Sequence, residues 1–471
     1  MRYISTRGEA PPLGFGEAML AGLARDGGLY VPEAWPRLAP SAIAGLAGQP
    51  YAEVAVEVMR PFVGDAIADA DLARMVREAY GSFRHPAVAP LVQLGPGDFV
   101  LELFHGPTLA FKDIAMQLLG RLMDHGLAAR GERSTIVVAT SGDTGGAAVE
   151  AFRGRAAIDL FVLFPAGRVS DVQRRMMTTA TDDNVHAIAI EGTFDDCQAL
   201  AKAMFNHHAF RDRVGLSGVN SINWARIAAQ VVYYFTAAVA LGAPHRRVAF
   251  TVPTGNFGDI YAGYVALSMG LPIDRLVIAS NVNDILPRTL ATGAYEPREV
   301  VPTASPSMDI QVASNFERIL FEVYERDPAV VRALMGSLGQ SRRFVLAAEA
   351  LSRLRATFSA DRADADETAA AIRTVLRESG HFIDPHTAVA VAVAEKETRD
   401  PSVPMVVLGT AHAAKFPDAM AAACGVRPPL PDWLSDLAAR PECVTKLPAD
   451  QTQVERHILA KSRAAREGAA A

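Results

Sequence analysis

The residue whose type and position most suggest chemistry is Lys112, which stands at the start of a predicted helix. The residues after it carry apolar side chains at helical spacing. The helix dipole and an apolar environment both disfavour an ammonium there, which leaves more free amine able to attack an aldehyde. A solvent-exposed lysine in a first helical turn is the alternative. Because a cation is electrostatically unfavourable at a helix N-terminus, the placement indicates a partner or a function.

Three loops of small residues, each between an apolar run and a predicted helix, are suited to binding an anion. They are SGDTGG at Ser141–Gly146, TGNFGD at Thr254–Asp259 and GTAHAAK at Gly409–Lys415. Helix N-termini offer free N–H groups, and glycine lets a ligand approach the backbone closely. Each loop alone could also be a tight turn or a helix cap. The second loop matches neither the P-loop nor the dinucleotide fingerprint, so a nucleotide is not indicated.

An α/β fold is predicted to position these loops. Short apolar, largely β-branched runs alternate with helical spans, at Thr135–Ala139, Leu160–Phe164, Val185–Ile190, Val248–Val252, Leu276–Ala279 and Met405–Leu408. Runs that are apolar on both faces and are followed by a loop and a helix are typical of parallel sheets covered on both sides. Ligands of such sheets bind beyond the carboxyl ends of the strands, which is where the three loops lie.

The length of the chain and changes in its pattern predict several packed units. The 471 residues exceed what one core usually supports. The proline-spaced stretch at 86–90 suggests that an N-terminal domain comprises residues 1–92. Residues 93–232 are expected to form a smaller α/β domain and residues 233–460 a larger one, with allowance for chain exchange between them. Residues 461–471 are predicted to be a flexible tail.

Composition argues against several kinds of partner. The net charge is −6 and both signs are interspersed, so no nucleic-acid partner is predicted. Cys197, Cys424 and Cys443 have none of the short spacings of metal sites or redox pairs, so buried free thiols and no metal are expected. The N-terminus lacks the apolar core of a secretory signal, and the longest apolar run is too short for a membrane span. These features predict a cytoplasmic protein without a membrane partner.

Four motifs together resemble those of the threonine synthase family and occur in the same order. They are HGPTLAFKD at His105–Asp113, SGDTGG at Ser141–Gly146, GNFGD at Gly255–Asp259 and GTAHAAKF at Gly409–Phe416. The segment Gly16–Glu33 resembles the opening of the longer bacterial and fungal form, so the match spans nearly the whole chain. The resemblance implies the fold of the tryptophan-synthase β family of pyridoxal-phosphate enzymes. In that fold the cofactor lies between two parallel-sheet α/β domains, and this form adds an N-terminal domain.

The resemblance also implies roles around the cofactor, pyridoxal 5'-phosphate. Lys112 would hold the cofactor as an imine and then serve as acid and base. Thr410 would hydrogen-bond the pyridine nitrogen, and Asp143 would lie near the ring hydroxyl. The cup for the cofactor's phosphate would consist of Gly255, Asn256, Phe257, Gly258 and Asp259. A glycine-rich loop at a helix N-terminus suits phosphate without needing a cation.

The substrate needs further donors. Ser141, Gly142 and Thr144 resemble the loop that binds the substrate carboxylate. The candidates for the substrate phosphate are Arg168, Ser170, Asn220, Ser221, Asn223 and Arg226. Arginine donates two parallel hydrogen bonds to phosphate, although an arginine taken singly is more often structural or solvated, and only the motif around Arg226 favours a binding role. Segments 314–317 and 384–387 resemble family motifs and are candidates for supporting contacts, and Ala413 stands where the family pattern has proline.

The activity that this resemblance implies is the conversion of O-phospho-L-homoserine and water into L-threonine and phosphate. That reaction is a pyridoxal-phosphate-dependent carbon–oxygen lyase reaction and the last step of threonine biosynthesis. Two alternatives share many of the same features: a pyridoxal-phosphate lyase or dehydratase of a related amino acid, and a non-catalytic relative that binds a phosphorylated metabolite. The presence of Lys112 and Thr410 argues against the second. A monomer or a homodimer is expected.

Overall fold

Strands and helices alternate through most of the chain in the computed structural model, which describes residues 1–467. The strands are β1 (Arg2–Ser5), β2 (Leu13–Gly14), β3 (Tyr30–Pro32), β4 (Leu91–Gln93), β5 (Asp98–Glu102), β6 (Ser134–Ala139), β7 (Ile158–Pro165), β8 (Val185–Glu191), β9 (Leu216–Ser217), β10 (Val248–Pro253), β11 (Ile273–Ser280), β12 (Ala294–Tyr295), β13 (Phe344–Val345), β14 (Phe358–Arg362), β15 (Met405–Gly409) and β16 (Thr445–Pro448).

The helices cover the faces of the sheets and form most of the N-terminal part. They are α1 (Phe15–Ala21), α2 (Pro40–Gly45), α3 (Tyr51–Val63), α4 (Asp69–Tyr80), α5 (Lys112–Arg130), α6 (Asp143–Phe152), α7 (Asp171–Thr178), α8 (Phe194–Asn206), α9 (His208–Val214), α10 (Trp224–Ala240), α11 (Gly258–Ser268), α12 (Ile285–Thr292), α13 (Phe316–Val323), α14 (Pro328–Ser341), α15 (Ala348–Thr357), α16 (Ala365–Ser379), α17 (Pro385–Lys396), α18 (Pro417–Cys424), α19 (Gln451–Lys461) and α20 (Arg463–Glu467).

Two sheets dominate the architecture. The larger has six strands in the order β14-β11-β10-β15-β5-β4, parallel throughout except for the edge strand β4. The smaller has five parallel strands in the order β16-β8-β7-β6-β9. The central strands β7, β10 and β15 are buried along their whole length because helices cover both faces. Each of the six predicted apolar runs lies in a strand of one of these two sheets, namely β6, β7, β8, β10, β11 or β15, and the α/β class is confirmed.

The sheets do not follow the sequence ranges predicted for the two domains. Strands β4 and β5 fall in the range 93–232 or at its border, yet they pair in the six-stranded sheet through β15. Strand β16 falls in the range 233–460, yet it pairs with β8 of the five-stranded sheet. Each sheet therefore takes strands from the other's predicted range. These strands have polar or short sequences, because they lie at or near sheet edges, and so lack the apolar signal of the central strands.

The N-terminal part forms a small antiparallel sheet, β2-β1-β3, with helices α1 to α4. Buried polar contacts join it to the rest of the chain. Asn223 Nδ2 donates to Met19 O at 2.8 Å, and Ser217 Oγ donates to Leu20 O at 2.8 Å. Arg7 forms an ion pair with the buried Glu317 at 2.9 Å. The N-terminal part thus contacts strand β9 of the five-stranded sheet, the start of α10 and helix α13.

The start of the predicted flexible tail is ordered, so that prediction is wrong for residues 461–467. Ser462 is fully buried and its hydroxyl lies 2.8 Å from Thr135 Oγ1 on β6. Arg463 Nε donates to Asp159 Oδ1 on β7 at 2.7 Å. Side-chain contacts with the five-stranded sheet hold this segment in place. The alanine-rich composition of the segment does not reveal these contacts. Residues 468–471, the rest of the predicted tail, lie outside the described residues.

Two further expectations concern the cysteines and the membrane. Cys197 is buried, but Cys443 is exposed because it lies in the open connection before β16, so the expectation of buried thiols is wrong for Cys443. Among residues 1–467, no helix is both long and apolar enough to cross a membrane. The apolar run at 227–244 instead belongs largely to the buried helix α10.

Candidate active site

A cavity of about 840 Å³ lies where the carboxyl ends of strands from both sheets meet. Thr140 follows β6 of the five-stranded sheet, whereas Thr254 and Thr410 follow β10 and β15 of the six-stranded sheet, and all three line the cavity. Helices α5, α6 and α11 begin with residues that also line it. The three predicted loops and the predicted lysine therefore meet in one place, at the crevice where α/β sheets bind ligands.

Lys112 occupies the first position of α5, with 12% of its side chain exposed. The loop before it is tied to the Thr410 loop, because Phe111 N–H donates to Thr410 O at 2.8 Å and Ala110 forms a bridge with Ala411. Burial lowers the pKa of Lys112 from its ordinary value, and the positive charges of Lys415 and Arg226 lower this pKa further, against the opposing charge of Asp143. The amine is therefore biased toward its neutral, nucleophilic form.

Asp143, the first residue of α6, lies beside Lys112 with its Oδ2 3.6 Å from Lys112 Nζ. Its other oxygen, Oδ1, accepts hydrogen bonds from Gln173 Nε2 at 2.9 Å and forms an ion pair with Lys415 Nζ at 2.7 Å. Burial alone would favour the protonated acid, but the charges of Lys415 and Lys112 outweigh it and lower the pKa of Asp143. The carboxylate is therefore ionised in the buried floor of the cavity.

The loop before α11 is shaped to receive an anion. Phe257 adopts a left-handed conformation with φ of 63°, which turns the chain into the helix. A Cβ added to Gly255 would lie 2.6 Å from Ser307 O, so the backbone approaches its neighbour too closely for a side chain. Within residues 1–467, the N–H groups of Gly255, Asn256 and Phe257 have no protein acceptor. Free donors at a helix N-terminus fit a phosphate group.

A second helix supports this loop from behind. Asn315 N–H donates to Asn256 O at 3.0 Å, and Asn315 Nδ2 donates to the same oxygen at 3.1 Å. The fully buried Arg318 hydrogen-bonds Asn315 Oδ1 and donates to Tyr30 O at 3.0 Å and Ile222 O at 2.6 Å. Arg318 thus links strand β3 of the N-terminal sheet, the segment before α10 and Asn315, the residue that supports the loop.

Asp259 points into the protein at the same helix start. Tyr233 and Tyr234 donate their hydroxyls to Asp259 Oδ1, the latter at 3.1 Å. The other oxygen, Oδ2, is buried without a hydrogen-bond partner among the described residues. Burial raises the pKa of Asp259 to about 6, against the lowering effect of the two tyrosines. Asp259 therefore anchors α11 to α10, while its backbone remains at the loop.

Thr410 is nearly buried. Hydrogen bonds near it also fix the hydroxyl of Thr387 and the imidazole of His386. Thr410 N–H donates to Thr387 Oγ1 at 3.3 Å, and Thr387 N–H donates to Asp384 Oδ1 at 3.1 Å. His386 Nε2 accepts from Ser307 N–H at 3.2 Å, so its Nδ1 carries the proton that is shared with Asp384 Oδ2 at 2.6 Å. The predicted supporting segment 384–387 therefore holds the Thr410 loop and one cavity wall together.

That wall, residues 300–312, is fixed by an amide and carboxylate network. Asp309 Oδ1 accepts from Asn281 Nδ2 at 2.8 Å and from Thr303 Oγ1 at 2.7 Å, and Asp309 Oδ2 accepts from Thr303 N–H at 2.8 Å. Asn283 Oδ1 accepts from Val301 N–H at 2.9 Å. The wall carries apolar cavity-lining residues at its two ends, including Val300 and Val312. No motif in the sequence pointed to this wall.

The predicted substrate-binding residues divide into two groups. Those that line the cavity are Ser141, Thr144, Arg168, Asn220, Ser221 and Arg226. Arg226 is buried, its Nη1 donates to Val219 O at 3.1 Å, and its Nε has no partner among the described residues. Burial lowers the pKa of Arg226 to about 10. A buried guanidinium with an unused donor beside the cavity is suited to an anionic group.

Gly142, Ser170 and Asn223 do not line the cavity, so the prediction that they contact substrate directly is not supported by their positions. Asn223 uses its side chain to cap α10 and to bond Met19 O and Gly218 O. Ser170 caps α7 and donates to Gln173 Oε1 at 3.1 Å, which places Gln173 against Asp143. Gly142 packs against Gln173, where a Cβ would lie 2.5 Å from Gln173 Cδ. Their local roles as caps and turns were the alternatives that spacing alone left open.

Comparison with known proteins accounts for almost the whole chain. Residues 2–80 match the threonine synthase N terminus, residues 88–410 the pyridoxal-phosphate dependent enzymes, and residues 387–458 the threonine synthase C-terminal region. A threonine synthase of Pseudomonas aeruginosa is 53% identical over 459 residues, which make up 97% of this chain and 98% of that protein. The chain belongs to the threonine synthase family.

Solved structures of threonine synthases agree in fold over the full length. The pyridoxal-phosphate-bound threonine synthase of Brucella melitensis is 62% identical, covers 98% of this chain, is itself covered completely, and superposes with a TM-score of 0.96. The yeast threonine synthase is 37% identical, with 98% of each chain covered and a TM-score of 0.92. The threonine synthase resemblance, the α/β fold and the pyridoxal-phosphate enzyme class predicted from the motifs are confirmed.

One residue inside a threonine synthase motif was missed. Lys415 lies in GTAHAAKF, in which only Thr410 had been given a role. It is fully buried, and its Nζ contacts Asp143 Oδ1 and Thr108 O at 2.7 Å each. A lysine between Ala414 and Phe416, directly after a buried strand, is the signal that could have identified it, since a buried lysine needs a charged partner.

Proposed function

We propose that this enzyme converts O-phospho-L-homoserine and water into L-threonine and phosphate, with pyridoxal 5'-phosphate held by Lys112. The observation that carries the proposal is the convergence of a buried amine, a loop of free N–H donors and Thr410 on one cavity. When bound, the cofactor would withdraw electrons from the substrate and make protons at its α and β carbons removable. The protein residues must then bind, orient and move protons.

Lys112 is proposed to be the attachment point and the proton carrier. Its low exposure and lowered pKa support a neutral amine that can condense with an aldehyde. Once released by the incoming substrate, Nζ would accept a proton from the α carbon and later return a proton to the substrate. Asp143, 3.6 Å away, would stabilise the protonated form of Lys112 during these transfers.

The loop 255–259 is proposed to hold the cofactor's phosphate. Its unpartnered N–H groups and the N-terminus of α11 supply donors and positive partial charge without a cation. Thr410 is proposed to hydrogen-bond the pyridine nitrogen, and Asp143 to lie near the ring hydroxyl.

Separate donors are proposed for the two anionic groups of the substrate. Ser141 and Thr144, at the start of α6, would bind the substrate carboxylate. Arg226 with Ser221 and Asn220 would bind its phosphate, with Arg168 at the exposed rim of the same cavity. An unused Nε on a buried Arg226 supports this assignment. The proposed substrate donors thus follow strands β6, β7 and β9 of the five-stranded sheet, apart from Arg226, which lies on α10.

Phosphate release from O-phospho-L-homoserine tests the proposal. The Lys112→Ala variant should lose essentially all phosphate and threonine formation, whereas Lys202→Ala, at an exposed position on α8, should keep the wild-type rate. A pyridoxal-phosphate dehydratase of a related amino acid would instead form an oxo acid without releasing phosphate. Undiminished phosphate release by Lys112→Ala would refute the proposed role of the lysine. Cytoplasmic location and a monomeric or homodimeric state stay predictions.

A further inference from the structure

Lys415 is a buried cation whose contacts are few and specific. It is fully buried, and its Nζ lies 2.7 Å from both Thr108 O and Asp143 Oδ1. Thr108 in turn donates its N–H and hydroxyl to the buried Asp113, at 2.8 Å and 2.6 Å. Placing a lysine away from water is unfavourable unless it is paired and hydrogen-bonded. This lysine is therefore fixed between the loop before Lys112 and the carboxylate beside Lys112.

Asp143 stands between two amines and is bound more closely by one of them. Its Oδ1 is held by Lys415 at 2.7 Å and by Gln173 at 2.9 Å, whereas its Oδ2 is 3.6 Å from Lys112. The second distance exceeds that of a good hydrogen bond between charged groups. The stronger partner of Asp143 is thus Lys415, and Lys112 is left with the weaker contact.

We propose that Lys415 is a positioning residue that holds the Asp143 carboxylate away from Lys112 and so keeps the Lys112 amine free to react. The inference rests on the proposed function of Lys112. It assigns Lys415 no contact with substrate or cofactor. Lys415 acts only through Asp143 and through its own positive charge, which disfavours a second charge nearby.

The charged groups around Lys112 allow the direction of each change to be worked out. Asp143 faces it from α6, Arg226 from α10, Asp259 from α11, and Lys415 from the loop after β15. Removing the charge of Lys415 leaves Asp143 without its closer partner and removes a like charge. Both effects favour the ammonium form of Lys112. Removing the charge of Asp143 has the opposite effect.

Competitive acetylation of the full-length, cofactor-free chain measures this directly. The protein would be labelled at values from about pH 6 to about pH 11, a range that brackets ordinary and lowered lysine pKa values. Peptide mass mapping would then measure the extent of labelling of Lys112 at each pH. In Lys415→Met the labelling midpoint of Lys112 should rise by about one pH unit or more, the effect typical of a nearby charge. Lys415→Arg keeps the charge, so its midpoint should stay closer to the wild-type value. The exposed Lys202 in the same digest is the internal control.

The Asp143→Asn variant tests whether Lys415 acts on Lys112 through Asp143. Its Lys112 midpoint should fall below the wild-type value, and adding Lys415→Met to it should raise the midpoint by less than Lys415→Met does alone. A role in stability only would change the unfolding midpoint of Lys415→Met but leave the labelling midpoint unmoved, and that result overturns the proposal. If Lys415→Met does not fold, an unchanged midpoint in Asp143→Asn overturns it instead. Phosphate release by the wild-type enzyme, measured separately, would still support the proposed function in either case.

Discussion

Gly255 shows at the scale of single residues how closely the loop proposed to bind the cofactor's phosphate is packed. In Gly255→Ala the new methyl carbon would lie 2.6 Å from Ser307 O, so the loop or the facing wall must move. Such overpacking costs about 1–3 kcal/mol. We expect a clear loss of cofactor, measured as visible absorption retained after dialysis.

A matched alanine substitution controls for that experiment. Gly336 lies inside α14 and an added Cβ there has no atom within 4 Å. Gly336→Ala should therefore retain the cofactor and gain about 0.5–1 kcal/mol of stability, since alanine is the better helix residue. If Gly255→Ala retained as much cofactor as Gly336→Ala, the loop would not be the close-fitting cup described above.

Single residues of the site differ in how far they could be predicted from sequence. Lys112 and Thr410 were identified because they lie in motifs with a recognisable order. Asn223 and Ser170 were assigned to substrate from the same kind of motif, but a polar side chain next to a helix start can cap the helix instead, and both do so. Lys415 was missed because its role depends on Asp143, a residue distant in sequence.

Arg318 is the clearest example at the scale of elements, because it joins three of them. Replacing it with methionine would leave the carbonyls of Tyr30 and Ile222 without their buried donor and would free Asn315. Each unsatisfied buried acceptor costs about 1–3 kcal/mol. Urea unfolding should therefore show that Arg318→Met is about 3 kcal/mol less stable than wild type.

The exposed Arg343 provides the comparison for that measurement. It lies outside the helices, and Arg343→Met removes a solvated side chain, so its stability should change by less than about 0.5 kcal/mol. Equal stabilities of the two variants would contradict the role given to Arg318. Loss of cofactor in Arg318→Met alone would further indicate that the support reaches the loop through Asn315.

The end of β5 carries a carboxylate that makes the fold sensitive to acid. Glu102 is nearly buried and lies 2.6 Å from His105 Nε2 and 3.0 Å from His381 Nε2. Burial opposes ionisation, but the hydrogen bond with His105 and the close contact of His381 lower the pKa of Glu102 from its ordinary 4.5 to about 2. A depressed pKa means that the stability is fully present above the ordinary value and is lost as the pH falls toward the folded value.

Urea unfolding as a function of pH tests this window. Between about pH 5.5 and about pH 3.5 the wild type should lose about 1 kcal/mol of stability through Glu102. Glu102→Gln should lose correspondingly less over the same range. Glu349→Gln, at an exposed position in α15, should keep the wild-type slope. A wild-type slope in Glu102→Gln would show that the histidine contacts do not stabilise the ionised carboxylate.

Elements were predictable from the sequence where burial on both faces requires a continuous run of apolar residues. The central strands β7, β10 and β15 are apolar along their length because helices cover both faces, and each was predicted. Strands β14 and β16 carry polar residues because they lie at sheet edges, and they gave no such signal. Pairing partners such as β16 and β8 depend on contacts between distant segments, which local patterns do not encode.

At the scale of the whole molecule, the last described segment, which starts at Ser462, is bound to the five-stranded sheet. Arg463 pairs with Asp159, which is 2% exposed. Arg463→Gln would leave this buried carboxylate without its charged partner. We expect a loss of about 2–3 kcal/mol in the free energy of unfolding, somewhat less than for a fully buried pair because the arginine is partly exposed.

Arg466 in the same short helix is the control for this substitution. It is exposed, and its one hydrogen bond within residues 1–467 is donated to Ala460 O, so Arg466→Gln should leave stability nearly unchanged. If both variants unfolded at the same urea concentration as the wild type, the contacts of the C-terminal segment with the five-stranded sheet would contribute nothing to the free energy of unfolding. The prediction of a flexible tail from residue 461 would then regain support.

The arrangement of the whole chain explains why the site needs both sheets. The Lys112 amine, the Asp143 carboxylate and the loop of free N–H groups come from α5, α6 and the segment before α11, which follow strands of different sheets. The N-terminal part is joined to the support of that loop through Arg318 and Tyr30. Each part of the site therefore depends on the packing of the others, which accounts for family resemblance along nearly the full length.

The site at which the cofactor is attached shows directly whether Lys112 has the role proposed for it. The cofactor-loaded full-length protein would be reduced with borohydride, digested and mapped by mass spectrometry. We predict that the reduced cofactor is found on the peptide containing Lys112 and not on the peptide containing Lys415, although the two amines share one carboxylate. Attachment at another lysine, or no attachment in protein that contains the cofactor, would contradict the proposal that Lys112 holds the cofactor.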